Sequence, residues 1–120
     1  MEVLTVTEFK KKVFDFEANS GGPWKFAGDT PTIIDFYADW CGPCRSLSPI
    51  LEELATEYKG RVNIFKVNTE STPELAALFG VRGIPALLFV PQSGEPTMSS
   101  GFMPKAALQE AITDIFNIKP

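Results

Sequence analysis

The sequence predicts an α/β domain: a mixed central sheet with helices on both faces, in the order β-α-β-α-β-α-β-β-α. Three observations predict it. Strand-like apolar runs at 32–37, 62–67 and 86–90 alternate with segments whose apolar residues recur at helical spacing. A helix between successive early strands demands parallel pairing. Late in the chain, only the turn Gln92-Ser93-Gly94-Glu95 and its flanks separate 86–90 from 97–102, so those two pair as a hairpin. At 120 residues, 44% of them hydrophobic, the chain has the length of one domain, residues 1–120, and the apolar content to build its core.

Residues 1–6 read as the first strand. Thr7 can cap a helix over about residues 8–17, with Phe9, Val13 and Phe16 on one stripe. Residues 18–31 read as a loop, because Ser20-Gly21-Gly22-Pro23 breaks any regular element. The loop is long for an α/β connection. It feeds the strand whose far end leads to the cysteines, so it should lie at the opposite pole from them; Trp24 within it reads as an anchor over the core. Residues 32–37 form a buried strand through Ile33, Ile34, Phe36 and Tyr37. A helix over about 41–58 follows, with Leu47, Ile50, Leu51, Leu54 and Ala55 as its apolar stripe. Pro49 removes one backbone donor inside it and should kink it, and Gly60 stops it. After the strand at 62–67, Thr72 and Pro73 open a helix through Phe79 that Gly80 closes. Pro104 starts the last helix, which buries Ala107, Leu108, Ala111, Ile112, Ile115 and Phe116.

Composition removes whole classes of function. Net charge is −4, and acids flank the only basic run, Lys10-Lys11-Lys12, so nucleic acid is not an expected partner. The longest apolar stretch is 86–90, far short of a membrane span. The opening Met1-Glu2-Val3 has no charged-then-apolar leader pattern. A cytoplasmic protein is the expectation, with a mature exported form as the other reading. The absence of histidine removes His-based triads, His general bases and His-ligated metals. Two cysteines cannot complete a four-thiolate metal site, nor build a disulfide scaffold. What remains is carboxylate chemistry, or chemistry done by the two thiols together.

Those thiols stand in Trp40-Cys41-Gly42-Pro43-Cys44, between a buried strand and a helix. Ligand and catalytic sites of open α/β sheets lie at the carboxyl ends of strands. Unpaired amides and the helix dipole favour an anion at such a helix start, which stabilises the Cys41 thiolate. Cys41 and Cys44 lie at i and i+3 on one face of the first turn, within disulfide reach. Pro43 is tolerated there and stiffens the link. An exposed, ionised Cys41 would attack a substrate disulfide and Cys44 would resolve the mixed disulfide. A structural disulfide, half of a zinc site shared across a dimer, and two unrelated buried cysteines are the other readings of the pair.

Ile34-Asp35-Phe36-Tyr37-Ala38-Asp39-Trp40-Cys41-Gly42-Pro43-Cys44 resembles the active-site segment of the thioredoxin family. Arg82-Gly83-Ile84-Pro85 resembles that family's cis-proline loop, and Ser100-Gly101-Phe102 its substrate-facing glycine loop. The resemblance runs from about Val3 to Ile118. It implies the thioredoxin fold, and a dithiol/disulfide cycle at Cys41 and Cys44 that reduces protein disulfides. It implies no bound cofactor: electrons come from thioredoxin reductase or an equivalent donor. The expected partners are that donor and disulfide-containing proteins, and the expected state is a monomer. The Gly-Pro pair between the cysteines resembles that of reducing members, implying a poise near the roughly −270 mV typical of thioredoxins.

Supporting residues have two readings each. Asp35, in an apolar strand, either faces solvent at an edge or is a desolvated carboxylate able to take the proton of Cys44. Family members carry a buried acid at the matching position. Lys66 is either a solvated strand-end lysine or, as the resemblance implies, a neighbour of Asp35 that modulates its charge. Most X-Pro bonds are trans, yet the resemblance implies a cis Ile84–Pro85 bond that turns the Ile84 backbone toward the thiols for pairing with an extended substrate. Trp40, Ile84 and Phe102 are either core or an apolar rim that, with Gly42, Pro43, Pro85 and Gly101, meets substrate. Tyr37, Ala86 and Phe102 depart from the commonest family pattern, which has Trp, Thr and a small residue there. Two competing functions stay open: a redox-independent binding module or subunit that uses the rim, and a disulfide-handling protein of an oxidising compartment.

Overall fold

The computed structural model describes residues 1–19 and 21–120; Ser20, inside the expected loop at 18–31, lies outside the described residues. The strands are β1 (Glu2–Val3), β2 (Thr32–Tyr37), β3 (Asn63–Asn68), β4 (Ala86–Val90) and β5 (Thr97–Ser100). The helices are α1 (Val6–Lys12), α2 (Gly42–Glu57), α3 (Pro73–Leu78) and α4 (Lys105–Phe116). They follow one another in the expected order, and the strands form a five-stranded sheet arranged β1-β3-β2-β4-β5. β3 runs parallel to β1 and β2, while β4 runs antiparallel to β2 and β5. This mixed sheet and its element order agree with those expected from the sequence.

Strand alternation divides the side chains between two cores. On one face Ile33, Ile64, Leu87 and Phe89 pack against Leu47, Leu51 and Leu54 of α2 and Leu108 and Ile112 of α4. On the other, Ile34, Phe36, Val67, Leu88 and Val90 pack with Phe9 of α1 and Leu75 of α3. Both faces of β2 are therefore covered, which is why its sequence reads as a nearly continuous apolar run. Each fully buried leucine of α2 contributes on the order of 1.5–3 kcal/mol toward holding that helix on the sheet.

Several boundaries differ from the sequence expectation, each for a local reason. The first strand spans Glu2–Val3 rather than residues 1–6, because Thr5 caps α1. Thr5, not Thr7, makes the cap. Its hydroxyl accepts from the Glu8 amide at 3.1 Å, and the Glu8 carboxylate accepts from the Thr5 amide at 3.0 Å. The helix then ends at Lys12 rather than near residue 17. Val13 leaves helical geometry, with φ −121° and ψ −66°, so that the adjacent Val13 and Phe14 are both buried. Cys41 is the N-cap of α2 rather than its first helical residue, and Tyr58 is the C-cap. The helix runs through Pro49. β5 stops at Ser100, and the chain breaks pairing before Phe102.

Trp24 stacks on Phe14 at 4.6 Å and meets Phe79 edge-on at 6.1 Å, covering the α1–α3 core. The segment carrying it enters β2 at Thr32, where Gln92 Nε2 donates to the Asp29 carbonyl at 2.7 Å. The cysteine pair lies beyond Tyr37, at the other end of the same strand.

Candidate active site

β2 leads into the turn Ala38-Asp39-Trp40 and then into α2. The turn is closed by the Cys41 amide donating to the Ala38 carbonyl at 3.2 Å. Arg45 braces it from the helix, its guanidinium donating to the Asp39 carbonyl at 2.9 Å. At the helix start Cys41 takes the place that Ser, Thr or Asp usually fills: its Sγ accepts from the Cys44 amide at 3.2 Å. Pro43 falls in the first turn, where its missing N–H leaves no helical bond unmade. The two Cα atoms are 5.2 Å apart and the sulfurs are joined as a disulfide.

The sequence leads one to expect an exposed Cys41. In the disulfide state it is only 4% exposed and Cys44 3%, because Ala38, Tyr37 and Ile84 pack against the pair. Exposure belongs to the surround: Trp40 is 66% exposed and Phe102 46%. Phe102, Pro43 and Ser46 line an apolar depression of about 350 Å³ beside the pair. Ile84 is half-buried, and Gly42 lies in the turn between the cysteines. The Ile84–Pro85 peptide is cis, as the resemblance implies and against the general preference for trans. The Pro85 carbonyl accepts from the Gly101 amide at 2.8 Å, which ties the glycine loop to the proline loop. Gly101 has φ +96°, a conformation that a side chain would strain.

Asp35 lies on the face of the sheet covered by α2, the helix that carries Cys44. It is fully buried, and neither carboxyl oxygen has a hydrogen-bond partner among the described residues. Burial pushes its pKa up to about 6, against an opposing pull from the Lys66 charge. The solvated-edge reading of Asp35 is thereby removed. Lys66 stands in register beside Asp35 on β3. Its ammonium does not pair with the carboxylate. It sits 4.1 Å from the centre of the Tyr37 ring and 3.4 Å from the Ser48 hydroxyl.

Cys44, Lys66, Ser48, Tyr37, Asp39 and Arg45 line a cavity of about 210 Å³, which shares no lining residue with the depression at Phe102. The sequence reading did not single out Ser48, Arg45 or Asp39. Ser48 was legible in principle, since it lies four residues after Cys44 on one helix face. No group of three Cys, Asp or Glu residues able to hold a metal occurs among the described residues, and none of the described helices is long and apolar enough to cross a membrane.

The thioredoxin family model matches residues 2–114. A thioredoxin from Borreliella burgdorferi is 42% identical over 113 residues, covering 94% of this chain and 95% of that protein. Thioredoxin 1 of a Nostoc species is 34% identical over 109 residues, 91% of each chain. Among solved structures, chloroplastic thioredoxin z superposes with a TM-score of 0.79 at 28% identity, over 96% of this chain and 93% of that one.

Proposed function

The chain belongs to the thioredoxin family and is a thiol–disulfide oxidoreductase, and we propose that it runs in the reducing direction on protein disulfides, with Cys41 attacking and Cys44 resolving. The observation that carries the division of roles is the capping geometry. Cys41 Sγ sits at the helix N-terminus and accepts an amide hydrogen bond, so negative charge is stabilised on that sulfur. Cys44 lies one turn on and donates that amide.

In the first step the Cys41 thiolate attacks one sulfur of the substrate disulfide. A mixed disulfide forms, and the other substrate sulfur leaves as a thiolate. Cys44 then loses its proton, attacks Cys41 Sγ and closes the Cys41–Cys44 bond, releasing the second substrate thiolate. Two electrons have passed to the substrate. A separate reductase, acting by the same exchange in reverse, restores the dithiol. Asp35 is the group we assign to take the Cys44 proton: it lies on the sheet face beneath α2, is desolvated, and with a pKa near 6 it matches a proton transfer near neutrality better than an ordinary aspartate.

Trp40, Gly42, Pro43, Ile84, Pro85, Gly101 and Phe102 form the surface we assign to substrate. The apolar exposure of Trp40 and Phe102 suits an extended or part-unfolded chain. The Ile84 backbone is the edge on which such a chain can pair as an added strand. A reductive role accords with a reducing compartment such as the cytoplasm.

The test is the reduction of insulin disulfides. Cys41→Ser abolishes it, and Cys44→Ser accumulates a covalent adduct with the substrate through Cys41. Equal residual activity in the two variants would overturn the assignment. A redox-independent module keeps its function with both substitutions together.

A further inference from the structure

A lysine set half-buried beside a buried carboxylate ordinarily pairs with it. Lys66 and Asp35 are register partners on adjacent strands, yet they form no ion pair. The ammonium is instead engaged elsewhere. It lies 4.1 Å from the Tyr37 ring centre and within 3.4 Å of Ser48 Oγ, on the wall of the cavity that reaches Cys44. A cation over an aromatic face is attracted by the ring's quadrupole, and more so where water is scarce. The backbone that carries the ring is held by Thr69. The Tyr37 carbonyl accepts from both the Thr69 amide, at 2.9 Å, and the Thr69 hydroxyl, at 3.1 Å.

We propose that Tyr37 is a positioning residue: the face of its ring, with the Ser48 hydroxyl, holds the Lys66 ammonium in the cavity beside Cys44 and off the carboxylate of Asp35. The proposal rests on the reading of Asp35 as the acceptor of the Cys44 proton. A paired Asp35 would be held ionised and would be a weak base at neutrality. An Asp35 kept near a cation, but not bonded to it, retains its basicity and still has a counter-charge within reach once it ionises.

The electrostatic surroundings are few enough to name. β2 contributes Asp35 and Tyr37, and β3 contributes Lys66. The turn contributes Asp39, and α2 contributes Cys44, Arg45 and Ser48. The Arg45 guanidinium is already engaged with the Asp39 carbonyl. β1 and β4 place apolar residues, Val3 and Leu87, at the register positions beside Lys66 and Asp35. Lys66 is therefore the cation whose position decides the charge on Asp35.

The experiment is a pH titration of the Asp35 carboxyl carbon by NMR in the reduced protein. Wild type and Tyr37→Phe keep the ring face and share one midpoint. Tyr37→Leu frees Lys66 to reach the carboxylate, and the midpoint falls by about one unit or more. Lys66→Met raises the midpoint, and adding Tyr37→Leu to Lys66→Met leaves it unmoved, because the ring acts only through the lysine. An unchanged midpoint in Tyr37→Leu overturns the proposal. So does an equal fall in the Lys66→Met background, which would assign the effect to hydration of the emptied space. Wild type supplies a measurement independent of any variant's folding: the Lys66 ε-methylene protons are shifted upfield by the ring current, and unshifted signals overturn the proposal too. Insulin reduction run alongside separates the two levels. Unchanged turnover in Asp35→Asn sinks the proton-acceptor reading while the titration still reports where Lys66 sits.

Discussion

Asp35 concentrates the cost and the use of this site in one side chain. Its carboxyl is buried without hydrogen-bond partners among the described residues, and burial pushes the pKa up from 3.8 to about 6. For an acid whose pKa is raised by folding, the folded state is favoured at low pH, and that advantage is lost as pH rises through the folded value. Asp35→Asn has no such titration. Between about pH 3 and pH 8 the variant should therefore gain roughly 3 kcal/mol of stability on wild type, read by urea denaturation at each pH. A pH-independent difference would mean that Asp35 titrates alike in the folded and unfolded chain. The same substitution should lower turnover at pH 7 by more than it changes the KM for insulin, since in the proposed mechanism the carboxylate acts on Cys44 after substrate is bound. The sequence revealed Asp35 because a charged residue in the apolar run 32–37 is conspicuous. It did not reveal where Lys66 points. Strand alternation assigns a face, but a four-carbon stem is aimed by its tertiary neighbours, here Tyr37 and Ser48.

At the scale of the element, helix starts decide most of the geometry. In α2 the N-cap is a cysteine, so one sulfur serves both as a structural acceptor and as the reacting atom. In α1 the capping box of Thr5 and Glu8 sets where strand gives way to helix. Thr5→Ala should cost about 1 kcal/mol of stability, measured by denaturant unfolding. The Glu8 carboxylate, held at about 2 by its hydrogen bond from the Thr5 backbone and by further hydrogen bonds, contributes stability present above its usual value near 4.5. That contribution is lost as pH falls toward 2, and a Glu8→Gln variant should show a flatter acid limb. Thr5 was legible as the cap, for Thr-x-x-Glu is the capping-box signature and Thr7 has Lys10 at the corresponding place. The end of α1 was not legible from periodicity. Phe9, Val13 and Phe16 do fit a helical stripe, and only the need to bury Val13 and Phe14 together ends the helix early. The burial of Cys41 was equally hidden, because it depends on Ala38, Tyr37 and Ile84 folding over the pair.

Across the whole molecule, the arrangement puts reacting sulfurs in a nearly closed setting and apolar contact area around them. Trp40, two-thirds exposed next to Cys41, lies outside the core and is free to serve the contact proposed for it. Trp40→Ala should raise the KM for a protein disulfide about tenfold, the scale of a modest aromatic hot spot, while leaving reduction of a small aromatic disulfide within about twofold. Equal losses on both substrates would make Trp40 a support for Cys41 itself. The order of elements, the hairpin and both cores could be read from periodicity and turn residues, because both faces of the sheet are covered and the pattern has little freedom. The sheet also ends abruptly on either side: β1 offers two residues and β5 four. Short borders make poor templates for the backbone of another polypeptide. A protein acting on loose, sticky chains would thus be ill-suited to nucleate their aggregation along its own flanks, and under the proposed function contact falls instead on the loops around the cysteine pair, where it ends in chemistry and release.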